Sequence, residues 1–209
     1  RLNLYTNVYF HRTTRALDLH LQEIFHDTMK YFLPGNPLDH LDEYLRCDEW
    51  SLFNCVQGWL ASKDSEKRKL AGEWKKLHER EVKWKMSFTA AISLDQIQRG
   101  VGFSRAEEYE ARIRQRLPKK LRGLALKVDL ATQDPRPLNP MAESGKRINI
   151  FNPVTQETSL EPLLDIYRFI PARVMHFRVF SLNHDYDEEL SAAAEKVLAE
   201  SDAAMPTNV

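Results

Sequence analysis

Tyr5, Tyr9, His11, Arg12 and Arg15 crowd the first fifteen residues of a chain that starts Arg1-Leu2-Asn3-Leu4. Such side chains are costly to bury, so a helix start built from them is unusual for a plain core element. Guanidinium groups supply positioned donors for phosphate oxygens, and tyrosine supplies a flat aromatic face. The chemistry they suit is recognition of a triphosphate and a sugar.

Other chemistries fare less well. Seven histidines occur, two of them in the dipeptides His26-Asp27 and His184-Asp185. A metal site needs three or more ligands converging from separate elements or from one helix face. Neighbouring helical residues point about 100° apart, and no further ligand is spaced to join either dipeptide. Asp185 reads as an ordinary helix N-cap. The chain has no G-x-S-x-G, no phosphate-cradling glycine loop and no H-E-x-x-H. The acidic run Asp39, Asp42, Glu43, Asp48 and Glu49 fits a solvated face plus a cap. The basic run Lys67, Arg68, Lys69, Lys75, Lys76, Arg80, Lys83 and Lys85 fits a solvated helix face.

Across 209 residues the formal net charge is +0, which argues against a wholly basic nucleic-acid binder. Its distribution is uneven. Residues 1–60 hold five basic and eight acidic residues, residues 61–127 eighteen and nine, and residues 128–209 seven and thirteen. Hydrophobic residues make up 43% of the chain, enough for a packed core. Cys47 and Cys55 give neither a disulfide framework nor a four-thiolate site, so a reducing, cytoplasmic compartment is expected. No apolar run nears the ~20 residues that span a bilayer. Because the first residue is Arg1 rather than Met, the chain is expected to be a piece of a longer one.

Periodicity supplies the elements that must position these groups. After Tyr5-Thr6-Asn7, read as capping residues, apolar positions at Val8, Ala16, Leu17, Leu21, Ile24, Phe25, Met29, Phe32 and Leu33 predict one long helix. Pro34-Gly35-Asn36-Pro37 stops it. Shorter helices are predicted over Leu38–Leu45 and from Asp48 to about Ser62. In the second, Asp48 is the N-cap, and Trp50, Phe53, Val56, Trp59 and Leu60 share a face. A Lys-rich helix over Ser65–His78 carries Leu70, Trp74 and Leu77 inward. From Glu81 the period changes to two. Strands are predicted near 82–88, 124–130, 147–151 and 174–180, in one antiparallel sheet. Helices are predicted at Ala106–Leu117 (capped by Ser104), Leu160–Phe169 and Asp185–Leu198, with a loop at Asp134–Pro140 and a tail from Ser201. The order β-α-β-β-α-β is that of a ferredoxin-like sandwich. The expected architecture is therefore mixed: residues 1–80 helical, residues 81–200 an α+β subdomain, and residues 201–209 a tail.

The opening segment, Arg1-Leu2-Asn3-Leu4-Tyr5-Thr6-Asn7-Val8-Tyr9-Phe10-His11-Arg12, closely resembles a helix of the HD-domain phosphohydrolases. Their deoxynucleoside triphosphate triphosphohydrolase branch has the form R-x-x-x-Y-x-x-V-Y-x-H-[RK] there, and every fixed position is met. Weaker resemblance continues at Asp48–Trp59, Leu77–Lys83, Leu126–Asp129 and His176–Phe180. The family's metal ligands (a His, a His-Asp pair and a distant Asp) lie upstream of this motif, and His26-Asp27 falls on its wrong side. The resemblance thus implies a C-terminal half: residues 1–80 would complete the helical catalytic domain, and residues 81–200 would form a regulatory and oligomerisation subdomain.

By the same resemblance, the full-length enzyme would hydrolyse a dNTP to deoxynucleoside and triphosphate, a metal-activated water attacking the α-phosphorus. A divalent metal such as Mg or Mn would sit in the missing half. Arg1 and Tyr9 would bind substrate, Arg1 near the phosphates and Tyr9 against the sugar or a phosphate. His11 and Arg12 would face an activating nucleotide at a subunit contact in a homo-oligomer, and a surface pair stabilising the helix start is their plainer role. Arg15 reads as an ion-pairing residue. Two readings from other classes stand beside this one. The first is a non-catalytic module binding nucleotide or a partner chain. The second is a nucleic-acid-binding domain, which would need Trp84 and Phe88 exposed on the sheet for stacking.

Overall fold

The computed structural model describes residues 4–33, 35–93, 105–133, 150–159 and 174–203. The entry into the first helix differs from the sequence expectation. Tyr5–Tyr9 forms a π-helical turn, closed where the Phe10 amide donates to the Tyr5 carbonyl at 2.7 Å. The chain then extends at His11, and α1 runs from Arg12 to Phe32. Its cap is His11, whose Nδ1 accepts from the Thr13 amide at 3.3 Å. The break at His11 frees the first amides of α1, and the His11 side chain satisfies one of them.

Along α1 the buried positions are Ala16, Leu19, His20, Ile24 and Thr28, while Val8 and Phe25 are exposed. The helix presents small and polar residues where neighbours approach closely. Next come α2 (Leu41–Leu45), α3 (Glu49–Gly58), a 3₁₀ turn at Trp59–Ala61 and α4 (Ser65–His78). Asp48 caps α3 as its sequence implies, accepting from the Ser51 amide at 2.7 Å while Ser51 Oγ accepts from the Asp48 amide at 2.9 Å. Replacing Asp48 with Ala is expected to lower the midpoint of urea unfolding, since the Ser51 amide loses its acceptor. Ile24, Val56, Trp59, Ala71 and Trp74 form the small core of this helical layer. Trp74 Nε1 donates to Thr28 Oγ1 at 2.8 Å inside it. Trp50 and Leu60, expected on the buried face of α3, are exposed instead. Val56 is the only residue α3 buries, and Trp59, in the turn that follows, is buried with it.

The second part is α+β around an antiparallel sheet. β1 (Lys85–Ser93) and β2 (Leu126–Gln133) flank a central β5 (Val174–Ser181). Register places Ala131 and Ala91 opposite His176, and Asp129 opposite Arg178. Between β1 and β2 lies α5 (Ala106–Arg116), and α6 (Asp187–Ala203) follows β5. Alternation along β5 divides its side chains between two layers. Met175, Phe177 and Val179 join Tyr109, Ile113, Leu190 and Val197 in the main core, under α5 and α6. His176, Arg178 and Phe180 point the other way, where Phe180 meets Ala16 and Leu19 of α1 and Trp84.

Two strand expectations change: β1 lies at Lys85–Ser93 rather than near 82–88, and the strand expected near 147–151 leaves the main sheet. Ile150–Asn152 (β3) pairs with Glu157–Ser159 (β4) in a separate two-stranded ribbon, outside the main sheet. The cause is local: Asn152 Oδ1 accepts from the Val154 amide at 2.9 Å, and Gln156 takes a φ of 57°, which folds the chain straight back. The described sheet therefore holds three of the four predicted strands, ordered β1-β5-β2. The closing helix starts two residues after Asp185 and reaches Ala203. Ser104, the loop Asp134–Pro140, the helix predicted at Leu160–Phe169 and the tail from 204 lie outside the described residues.

Candidate functional site

The opening turn and the start of α1 lie against β5 and β2. Arg1 lies outside the described residues. Tyr9, 52% exposed, has its ring centroid 5.3 Å from that of Tyr5. Tyr5 also touches Phe10 at 5.7 Å, and Phe10 meets the His176 ring edge-on at 5.7 Å. The turn is thus an aromatic stack seated on the central strand, with Tyr9 at its outer end. His11 spends its Nδ1 on the helix cap. Arg12, exposed, lines a cavity of about 260 Å³ together with Thr13, Trp84, Lys85, Phe180 and His184. Tyr9, His11 and Arg12 therefore share one short exposed segment.

One turn further on, Arg15 reaches across to the sheet. Its Nε lies 3.1 and 3.0 Å from the two carboxylate oxygens of Asp129, and its Nη2 also contacts Asp129. Its Nη1 pairs with Asp18 at 3.0 Å. On the adjacent strand Arg178 Nη1 stands 3.7 Å from Asp129 Oδ2. Asp129 is 3% exposed and Arg178 7%. Two guanidinium groups and two carboxylates thus balance in charge between α1 and the sheet. The hydrogen bonds that Arg15 donates to Asp129 raise the Arg15 pKa above its ordinary value, against an opposing effect of burial. Burial is the main influence lowering that of Arg178 and raising that of Asp18.

His176 borders this network, and its pKa is lowered, first by burial and then by Arg178. Its folded pKa therefore lies below the ordinary 6.5, so the unfolded chain takes up the proton first as pH falls. Stability from neutral His176 is full above about pH 6.5 and declines as pH drops toward the folded value. The expected result is a melting temperature that falls more between about pH 7.5 and pH 5 in the wild type than in His176→Gln.

The two His-Asp dipeptides serve surface pairs. Asp27 pairs with Lys30 at 2.8 Å, and His184 Nδ1 pairs with Asp187 at 2.8 Å. His20, fully buried, places Nε2 2.7 Å from Glu73, which also accepts from Lys76 at 2.6 Å. Among the described residues, no group of three or more His, Cys, Asp or Glu side chains is placed to hold a metal ion. Nor is any described helix long and apolar enough to cross a membrane.

Residue type was enough to single out Tyr9, His11, Arg12 and Arg15. It did not single out Asp129, Arg178 and His176, which the structure places against Arg15 and Phe10. The available signal was charge inside strands that are otherwise apolar: Asp129 among Leu126, Val128 and Leu130, and Arg178 between Phe177 and Val179. No protein-family model matches the chain, and no curated protein matches it.

Proposed function

We propose that the chain is the C-terminal portion of a metal-dependent HD-domain phosphohydrolase that converts a dNTP to deoxynucleoside and triphosphate. The observation that carries this reading is the motif from Arg1 to Arg12, met at every fixed position. The exposed turn that groups Tyr9, His11 and Arg12 supports it, because all three are within reach of a ligand lying along that segment. In this reading Arg1 contacts the phosphates and Tyr9 the sugar or a phosphate. His11 and Arg12 meet an activating nucleotide at a contact between subunits of a homo-oligomer. Residues 1–80 complete a helical catalytic domain, residues 81–200 form a ferredoxin-like α+β subdomain for regulation and oligomerisation, and the enzyme is cytoplasmic.

The divalent metal that the reading includes has no ligand set among the described residues, so no step of the chemistry is assigned to them. Their work is to bind and orient the nucleotide. The nucleic-acid alternative is less well supported. Trp84 is 4% exposed, and Phe88 packs on Phe177 at 6.2 Å, which leaves neither ring open for base stacking.

The test separates binding from regulation. In the full-length protein, His11→Ala and Arg12→Ala should leave unregulated dNTP turnover nearly intact and abolish activation by added nucleotide. The 209-residue chain alone should show no dNTP hydrolysis with Mg²⁺ or Mn²⁺. Turnover by the purified chain would place the active site elsewhere.

A further inference from the structure

Tyr5, Phe10 and His176 have no place among the nucleotide contacts proposed above, yet their rings form a continuous path from the sheet to Tyr9. In an α-helix, residues five apart point about 140° away from each other. The hydrogen bond from the Phe10 amide to the Tyr5 carbonyl, five residues back, widens the turn instead. Tyr9 and Phe10 are thereby both brought to the Tyr5 ring, with centroids 5.3 and 5.7 Å from it. Such π-turns recur at functional sites. Phe10 then meets the His176 ring edge-on, at 5.7 Å and 63°. His176 stands on the central strand, and its cross-strand neighbours are Ala91 and Ala131. Their small side chains leave its ring open to one from outside the sheet.

We propose that Phe10 and His176 are positioning residues for nucleotide binding, their edge-on contact holding the turn in the conformation that presents Tyr9. The inference rests on the hydrolase reading and extends it to two side chains which that reading does not place on the nucleotide. The Arg15–Asp129 pair does not reach the turn. It fixes α1, whereas His11, extended at φ −61° and ψ 137°, separates α1 from the turn. Across that break the turn is tied to α1 by Thr14 Oγ1, which donates to the Val8 carbonyl at 3.2 Å. Phe10 supplies a tie to the sheet. An edge-on ring pair corresponds to roughly 2- to 12-fold in an equilibrium. Losing it lowers the fraction of molecules whose turn is ready for a ligand, and the apparent dissociation constant rises by the inverse of that fraction. Saturating nucleotide restores the turn, so the maximal rate is kept.

The experiment pairs two measurements on the full-length protein: amide hydrogen exchange over residues 4–10 without nucleotide, and dNTP turnover kinetics. Phe10→Ala and His176→Ala should each speed exchange at the Phe10 amide and its neighbours by roughly 2- to 12-fold, with α5 as protected as in wild type. Each should raise KM by a similar factor and keep kcat within about twofold. Phe10→Tyr and His176→Phe keep an edge-on ring pair and should stay close to wild type in both measurements. The double alanine variant should change little beyond Phe10→Ala alone, because one contact is lost in each. Unchanged exchange in both alanine variants overturns the proposal, as does faster exchange with an unchanged KM. A fall in kcat at constant KM, or a loss of protection in α5 as well, also overturns it, by making the contact part of the chemistry or of the global fold. Failure of the hydrolase reading shows before any variant is compared, as a wild type that turns over no dNTP, and it takes the nucleotide-binding role with it.

Discussion

Arg15→Ala should unfold with about 3 kcal/mol less free energy than wild type, the lower end of the cost of removing one partner from a buried ion pair. Asp129 would lose the guanidinium that holds both its carboxylate oxygens, while being 3% exposed and out of reach of compensating water. Arg178, 3.7 Å away, remains as a weaker partner and keeps the cost from rising toward about 5 kcal/mol. The melting temperature should fall by roughly 6–12 °C for a protein of this size. A paired replacement, Arg15→Met with Asp129→Leu, should not recover the loss, because it leaves Arg178, 7% exposed, without its facing carboxylate. Thermal and urea unfolding of the single and double variants make the test. A change below about 0.5 kcal/mol in Arg15→Ala would show that the pair does not hold α1 to the sheet.

That pairing also shows where the sequence is informative. α4 was legible over Ser65–His78 because Leu70, Trp74 and Leu77 stand out from a lysine-rich background, with Asp64 in place as cap. The capping box at Asp48 and Ser51 was equally local. The buried face of α1 was legible only in part: Ala16 and Ile24 stand among the apolar positions and are buried, whereas His20 and Thr28 look less like a core than Phe25, which faces water. Its neighbours decide which side is inner, and those neighbours are distant in the chain. Arg15 and Asp129 are 114 residues apart. Their contact depends on the register that places Asp129 beside Arg178, and no spacing in the sequence encodes it. The β3–β4 ribbon illustrates the opposite case: a turn at Asn152 that settles the pairing locally and keeps the strand out of the main sheet. The residues proposed to touch nucleotide were legible by type, whereas the residues that anchor their segment were not.

The second large effect concerns Arg1. In the full-length protein, Arg1→Ala should lower dNTP turnover at limiting substrate by roughly 10- to 150-fold, since a charge-assisted contact to a phosphate is worth about 1.5–3 kcal/mol. Arg1→Lys should recover part of the loss, because it keeps the charge but not the planar fork of donors. Tyr9→Phe should lose less than Arg1→Ala if the ring, rather than the hydroxyl, supplies most of the contact. The half-exposed position of Tyr9 at the outer end of its aromatic stack makes that substitution benign for folding, so a change in rate reports on the ligand. Normal kinetics in Arg1→Ala, with the fold intact, would make the opening segment purely structural.

The most direct measurement follows the phosphorus atoms. The full-length protein is incubated with each of the four dNTPs and Mn²⁺ or Mg²⁺, and the products are resolved by ³¹P NMR. The predicted result is intact inorganic triphosphate appearing in step with deoxynucleoside. Release of pyrophosphate or orthophosphate in its place, or no turnover of any dNTP by a folded protein, would contradict the assignment.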